Sequence, residues 1–170
     1  ESGFLENPIA ITTTHSVGTV RDAVIAWTIR HRVYDPDVPP IFWGLPVVSE
    51  TFDGRLNDVN GFHVQPEQVF QALDEAAPGT VEEGNVGGGT GMVCYEFKGG
   101  IGTASRKVRV LGEEYVLGVL VQANYGRREQ FTVAGVPVGR EIPDLRPVLN
   151  FHDPHPGSGS IVAVIATDAP

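Results

Sequence analysis

The feature that most constrains the fold lies near the end of the chain, where a Gly/Ser segment meets an apolar run. Residues 156–160 (PGSGS) are followed by residues 161–167 (IVAVIAT), which are mostly β-branched. Such a run predicts a strand that is buried on both faces. Ser160 takes the first position of that strand, behind a loop that can adopt unusual dihedral angles, and this setting suits a self-processing nucleophile. A linker before an ordinary core strand would explain the same residues.

Cleavage of the peptide bond between Gly159 and Ser160 would give Ser160 a free α-amine beside its hydroxyl. The ordinary pKa of an α-amine is about 7.7–8.0, so a usable fraction is unprotonated at neutral pH. One residue would then supply both a nucleophile and a local base.

Composition narrows the classes of partner. The 170 residues, 41% of them hydrophobic, suffice for one domain with a real core. A net charge of −9 argues against nucleic acid or an anionic membrane as a partner. No apolar run approaches the roughly 20 residues of a membrane span, and a single cysteine, Cys94, excludes an internal disulfide. Because the chain begins at Glu1 and ends at Pro170 just after a strand, we expect a piece of a longer protein.

Strand-like and helix-like segments alternate along the chain without a repeat. This pattern predicts a mixed α/β architecture with strands packed in layers. The expected segments are a strand over residues 9–14, a helix after the N-cap Ser16 with Val20, Val24, Trp27 and Ile29 on its apolar face, a short extended segment from residue 45, a helix opening at Pro66 with a stripe of Val69, Phe70 and Leu73, and strands over residues 92–97, 107–110, 115–121 and 161–167.

The middle of the chain is rich in glycine. Residues 84–91 (GNVGGGTG) contain five glycines and lead into an extended segment. Neither the dinucleotide-binding spacing nor the P-loop spacing occurs, which argues against a phosphate site. Two explanations stay open: a tight surface loop, or backbone amides near Gly88 and Gly89 that approach a ligand or an oxyanion closely.

The remaining candidates carry weaker signals. Residues 152–155 (HDPH) suggest a metal pair, but proline restricts the geometry and no third ligand is evident, so ordinary loop residues are favoured and no metal or cofactor is predicted. Turn chemistry explains Glu50, Asp53 and Asp58 as well as acid–base chemistry does. Cys94 is interpreted as a small buried hydrophobe within a strand.

Several blocks of the sequence together resemble the DmpA/BapA family of L-aminopeptidase/D-Ala-esterase/amidases and β-peptidyl aminopeptidases. The most specific block comprises residues 84–92 (GNVGGGTGM) with residues 97–103 (FKGGIGT). The resemblance spans nearly the whole chain, in the family's order. The other blocks are residues 7–9 (NPI), 14–18 (THSVG), 45–54 (LPVVSETFDG), 56–61 (LNDVNG), 121–126 (VQANYG), 159–161 (GSI) and 166–170 (ATDAP).

The resemblance implies a four-layer α-β-β-α sandwich, similar to the N-terminal-nucleophile hydrolases but wound differently, and shared with ornithine acetyltransferase. It also implies a precursor that cuts itself at a Gly–Ser bond. Residues 1–159 would then belong to an α subunit and residues 160–170 would begin a β subunit, within one incomplete domain. The expected activity is the release of N-terminal residues from peptides, amides or esters.

Site residues are carried over from the family by motif. The resemblance implies no cofactor, and its expected partners are a peptide or amino-acid amide substrate, the chain's own β subunit and further αβ units in a homo-oligomer. The expected site consists of Ser160 as nucleophile, Gly159 as scissile carbonyl, Asn124 as oxyanion donor, and Trp43, Phe52, Gly88 and Gly89 around the substrate.

One departure from the family pattern limits what this chain does alone. The family's further catalytic serine and glutamate lie beyond Pro170, and its first strands precede Glu1, so the isolated chain is expected to be inactive. Two alternatives remain. The first is an acyltransferase of the ornithine acetyltransferase type, although those enzymes have threonine where this chain has Ser160. The second is an inactive fragment or a non-enzymatic α/β module.

Overall fold

The computed structural model describes residue 5 and residues 7–31, 41–146 and 159–170. The chain divides into two compact units, the first comprising residues up to Glu50 together with Val59–Gly79, and the second comprising Thr51–Asp58 and Thr80–Pro170. That the chain is one incomplete domain, with a new subunit beginning at Ser160, stays a prediction.

The first unit packs two helices against a pair of strands. Its buried core consists of Val20, Ala23, Val24 and Val69. The elements are β1 (Ile9–Thr13), a 3₁₀ turn (Thr14–Ser16), α1 (Val17–His31), β2 (Val47–Thr51, which pairs with β1 and ends at the first residue of the second unit), a 3₁₀ turn (Val59–Gly61) and α2 (Pro66–Asp74).

Both predicted helices are present, with small corrections. Ile29 does not belong to the apolar face of α1, because its position on the helix leaves it 55% exposed while Ala23 is buried instead. The sequence also predicts that Pro36, Pro39 and Pro40 end this helix, and these three residues lie outside the described ranges. At the start of α2, the Gln65 backbone N–H donates to Gln68 Oε1 at 2.8 Å, so a capping box fixes the first turn.

The second unit is built on a three-stranded antiparallel sheet. Its middle strand pairs with a neighbour on each side. The elements of this unit are a 3₁₀ turn (Gly87–Gly91), β3 (Val93–Cys94), β4 (Phe97–Lys98), β5 (Gly100–Val110), β6 (Glu113–Asn124), a 3₁₀ turn (Arg128–Gln130), α3 (Val138–Glu141) and β7 (Ser160–Thr167), and the sheet order is β5-β6-β7.

The single strand predicted over residues 92–97 is wrong, because the chain folds back there as the hairpin β3–β4. Tyr95 and Glu96 form the turn with φ angles of 51° and 61°, a left-handed conformation that non-glycine residues seldom adopt. The buried Arg128 guanidinium donates to the carbonyl oxygens of Tyr95 at 3.3 Å and Glu96 at 2.8 Å and lies over the Phe97 ring. A distant cation therefore stabilises a turn for which the local sequence carries no glycine or asparagine.

The predicted strand after Ser160 is confirmed, but its predicted burial on both faces is wrong. Side chains alternate along β7, and Ile161 and Ile165 are 56% and 67% exposed, whereas Val162 and Val164 are half-buried. One apolar face of this strand is therefore open to solvent in the structure. Among the helices that the structure describes, none is long and apolar enough to cross a membrane.

Candidate active site

The register between β6 and β7 brings two of the predicted site residues together. Asn124, the last residue of β6, lies directly opposite Ser160, the first residue of β7. Directly opposed residues of an antiparallel pair project their side chains on the same face. The Asn124 Nδ2 accordingly donates a hydrogen bond to Ser160 Oγ at 3.0 Å.

The amide of Asn124 is held in one orientation by groups that can play only one role. Its Oδ1 accepts from the Val93 backbone N–H at 3.0 Å, and its Nδ2 donates to the Phe52 carbonyl oxygen at 2.7 Å. A backbone N–H cannot accept and a carbonyl cannot donate, so exchanging the two amide atoms would break both bonds. Asn124 is only 8% exposed, and its amide is therefore a fixed donor beside Ser160.

Ser160 Oγ receives a second donor from the backbone. The Phe52 N–H donates to this oxygen at 3.3 Å. Two N–H donors stabilise negative charge on an oxygen, and neither can take up the hydroxyl proton. The arrangement suits a serine whose oxygen attacks a carbonyl once a separate base removes its proton.

Gly159 enters the strand through a narrow space. A Cβ at this position would lie 2.6 Å from the Cβ of Tyr125 and 2.9 Å from the Asn124 carbonyl oxygen, closer than non-bonded atoms approach. A larger residue would have to displace the backbone that follows β6.

The hydroxyls of Tyr125 and Tyr95 share a hydrogen bond of 3.3 Å, and this bond together with burial raises the pKa of Tyr125 to about 12.

The glycine-rich segment packs against other residues of the second unit, among them Gln122 and Gly84. A Cβ on Gly88 would lie 2.5 Å from Gln122 Oε1, and one on Gly89 would lie 2.4 Å from the Gly84 carbonyl oxygen. The Gly89 N–H is already used, because it donates to the Val86 carbonyl at 2.8 Å. These close approaches explain the glycines sterically, and a substrate-binding role for Gly88 and Gly89 stays a prediction.

Lys98 closes this turn from β4. Its ammonium donates to the carbonyl oxygens of Gly89 at 3.0 Å, Met92 at 3.2 Å and Gly99 at 3.0 Å. Partial burial lowers the pKa of Lys98. These contacts connect the middle of the glycine-rich turn and the residue that follows it to Gly99, the residue before β5.

Phe52 and Trp43, the two aromatic residues predicted to border the substrate, have different surroundings. The backbone of Phe52 contacts both Ser160 and Asn124, and its side chain is 42% exposed. Trp43 belongs to the first unit, where its side chain is 69% exposed. Within the second unit the structure thus brings together Phe52, Asn124, Gly159 and Ser160.

Gln122 and Thr51 lie next to the site and are not among the residues predicted from the sequence. Gln122 Nε2 donates to Thr51 Oγ1 at 2.5 Å, and both residues are 1% exposed. Alternation along a strand places Gln122 on the same face as Asn124, so a polar residue two positions before Asn124 in an apolar strand was the available signal.

The other acidic and sulfur groups have structural surroundings. The carboxylate of Asp53 accepts from Asn57 Nδ2 at 2.9 Å within a turn, and Glu50 accepts a short bond from the Thr14 hydroxyl. Cys94 is half-buried, and burial raises the pKa of its thiol. Over the described ranges no cluster of three His, Cys, Asp or Glu residues could hold a metal, and residues 152–155 lie outside those ranges.

Comparison with known proteins gives a consistent result. The family model described as Peptidase family S58 matches residues 1–170. Two proteins named β-peptidyl aminopeptidase BapA, from Sphingosinicella microcystinivorans and Sphingosinicella xenopeptidilytica, are 51% and 46% identical to this chain over its full length. The chain spans 44% and 43% of their respective lengths.

Solved structures give the same answer for the fold. The L-aminopeptidase D-Ala-esterase/amidase from Ochrobactrum anthropi, described as a new variant among the Ntn hydrolase fold, superposes with a TM-score of 0.84 at 46% identity, over 94% of this chain and 42% of its own. A β-aminopeptidase from Burkholderia sp. superposes with a TM-score of 0.81 at 51% identity, over 99% of this chain and 43% of its own. The predicted fold class, a layered α/β sandwich of this type, is confirmed.

Proposed function

The chain belongs to peptidase family S58, and from that premise we propose that it carries the nucleophile of a self-processing serine aminopeptidase or amidase. The reaction is the release of N-terminal residues from peptides, amides or esters through an acyl-enzyme on Ser160. The observation that carries the proposal is the convergence of Asn124 Nδ2 and the Phe52 N–H on Ser160 Oγ, at the first residue of β7.

Self-cleavage uses this oxygen first. The Ser160 Oγ attacks the carbonyl carbon of Gly159, the bond from that carbon to the Ser160 nitrogen breaks, and the nitrogen takes up a proton. Water then hydrolyses the ester, which restores the hydroxyl and leaves Gly159 as a carboxylate. As Ser160 Oγ becomes the ester oxygen, the Asn124 Nδ2 hydrogen that pointed at it shifts to the oxyanion on the former Gly159 carbonyl, while the other hydrogen stays on the Phe52 carbonyl. A donor of this kind is worth about 10²–10³ in rate.

The processed enzyme repeats the chemistry on a substrate. The new α-amine of Ser160, with an ordinary pKa of about 7.7–8.0, is available as a local base at neutral pH. The hydroxyl attacks the substrate carbonyl, the amine or alcohol leaves with a proton, and water releases the acyl group from Ser160. Removal of only the N-terminal residue requires recognition of a free amine, for which acidic side chains are the natural partners.

The names of the relatives indicate the class of substrate. The relatives are named for β-peptides, L-amino acids and D-alanine esters or amides, which supports a small acyl donor with a free amine. Because this chain spans 42–44% of the relatives' lengths, we propose that its own β subunit completes the site and that αβ units associate further.

Intact mass measurement tests the proposal. The full reading frame that encodes this chain is expressed, and the purified protein is expected to contain two polypeptides separated between Gly159 and Ser160. Incubation with a sulfonyl fluoride, which reacts with activated serine hydroxyls, should then add one label to the peptide that begins at Ser160. A single uncut polypeptide, or a label on another residue, would contradict the assignment.

A further inference from the structure

Gln122 is a fully buried polar side chain in a strand that is otherwise apolar around it. It is 1% exposed and lies between Val121 and Ala123 in β6. Its Nε2 donates to Thr51 Oγ1 at 2.5 Å, while its Oε1 is buried without a hydrogen-bond partner among the described residues. The amide group of Gln122 packs against Gly88, where an added Cβ would lie 2.5 Å from Oε1.

Stability of the strand does not explain this amide. A buried acceptor without a partner costs folding free energy, and an apolar side chain of the same length would avoid that cost. Within the part of the chain that the structure describes, the side chain of Gln122 forms one hydrogen bond, which is directed at the side chain of Thr51, the residue immediately before Phe52. The amide is therefore placed to hold Thr51.

The segment from Thr51 to Phe52 is held from two directions. Gln122 holds the Thr51 side chain, and Asn124 Nδ2 holds the Phe52 carbonyl at 2.7 Å. The peptide group that joins these two residues carries the Phe52 N–H, which donates to Ser160 Oγ at 3.3 Å. Fixing both ends of that short segment fixes the direction of this N–H.

We propose that Gln122 and Thr51 form a positioning pair that aims the Phe52 N–H at the oxygen of Ser160. This inference rests on the proposed function of Ser160. Neither member of the pair touches the reacting atoms, and each acts through the backbone of Phe52. The pair matters most when Ser160 loses its proton and negative charge develops on its Oγ. An N–H that already points at this oxygen then stabilises the charge without reorganisation.

A double variant separates positioning from stability. Thr51→Val with Gln122→Met replaces both polar partners by apolar groups of similar shape, a change that is nearly neutral for folding or stabilising. In the full-length protein, self-cleavage of this variant is expected to be about 10-fold slower, less than the loss of a complete oxyanion donor, because Asn124 still holds Phe52. The melting temperature should be equal to or above that of the parent.

Two further readouts distinguish the pair from a merely structural contact. Thr51→Val alone should slow cleavage as much as the double variant does, because the same hydrogen bond is lost in both. In processed enzyme the double variant should lower kcat and leave KM unchanged, the signature of a contact that acts in the transition state. Thr51→Ser, which keeps the hydroxyl, should restore both rates.

A double variant of normal stability that cleaves at the parental rate would overturn the proposal. Should the Gln122→Met substitution prevent folding, the comparison of Thr51→Ala with Thr51→Ser decides the question, and equal rates for these two variants would overturn it as well. A parent protein that never separates at Ser160 would instead refute the proposed function, so the two failures are distinguishable.

Discussion

The two ends of the β5–β6 hairpin share one backbone ladder and differ in almost everything else. At one end, β6 finishes with Gln122 and Asn124, both buried and engaged with Thr51, Phe52 and Ser160. At the other end, the turn between the strands is open to solvent. There Leu111 is fully exposed, with φ at 52°, and Gly112 follows with φ at 92°.

The difference shows that the contribution of a polar contact to the stability of this sheet depends on how deeply the contact is buried. The Lys107 Nζ lies 2.8 Å from Glu114 Oε1 near the open end, but these side chains are 72% and 48% exposed. Water and salt can replace such a pair at little cost. The amide of Asn124 has no such substitute, because the groups around it are buried and would lose their partners.

The largest effect is expected from Ser160→Ala, which removes the oxygen proposed for both reactions. Self-cleavage and hydrolysis should both be lost, because no other group in that position can form the ester. Separation of the chains on a denaturing gel provides the measurement. A Ser160→Ala protein that still separates into two chains would show that the nucleophile lies elsewhere.

Ser105 provides a control for this variant, since it lies on β5 of the same sheet and is exposed. Ser105→Ala should cleave at the parental rate. Ser158 is nearer in sequence and Ser158→Ala is likewise expected to cleave, although it lies outside the described residues.

The next largest effect is expected from Asn124→Asp, which keeps the size of the side chain and replaces its donor by an acceptor. The carboxylate can still accept from Val93, but it cannot donate to Phe52 or Ser160. We expect kcat of the processed enzyme to fall by about 10²-fold or more, with KM little changed.

Asn124→Ala should reduce kcat similarly and should also destabilise the fold by about 1–3 kcal/mol, because it leaves buried groups on Val93 and Phe52 without a partner. Each variant is assayed after the processed fraction has been measured, since slow self-cleavage would imitate a low kcat. Near-normal kcat in fully processed Asn124→Asp enzyme would contradict the proposed role of Asn124 as an oxyanion donor and would leave it only a structural role at the end of β6.

A feature of this fold could be predicted from the sequence where neighbouring residues determine it, and could not where a residue far along the chain does. The strand that begins at Ser160 is recognisable because it is a contiguous apolar run in which most residues are β-branched, and Asn124 ends another strand that is rich in apolar residues. The turn at Tyr95 and Glu96 was not predictable from local sequence, because its stabilising partner, Arg128, is 32 residues distant from Glu96. The role of Thr51 was hidden for the same reason, since its partner Gln122 lies 71 residues along the chain.

A smaller effect of opposite sign is expected at the open end of the hairpin. A two-residue turn with both residues at positive φ favours Asn-Gly. Leu111 adopts its left-handed conformation with a fully exposed side chain, so no residue in the described ranges packs on it to offset the strain. Leu111→Asn should therefore raise the free energy of unfolding by about 0.5–1 kcal/mol. Urea denaturation measures this change, and self-cleavage should remain at the parental rate because the site is at the other end of the strands.

The smallest effect is expected from Lys107→Ala at the same end. Exposed ion pairs contribute about 0.2–1 kcal/mol, and this one has a further reason to lie at the low end. Arg109 is directly opposite Glu114 in the β5–β6 register, so a second cation is already adjacent when Lys107 is removed. We expect urea denaturation to show a loss of at most about 0.5 kcal/mol, which should shrink further at high salt because screening weakens exposed pairs. Lys107→Gln serves as the control, because it keeps a polar side chain of most of the original length and removes the charge. If Lys107→Ala cost as much stability as Asn124→Ala, burial would not be what separates the two ends of this hairpin, and the contrast between them would need another physical cause.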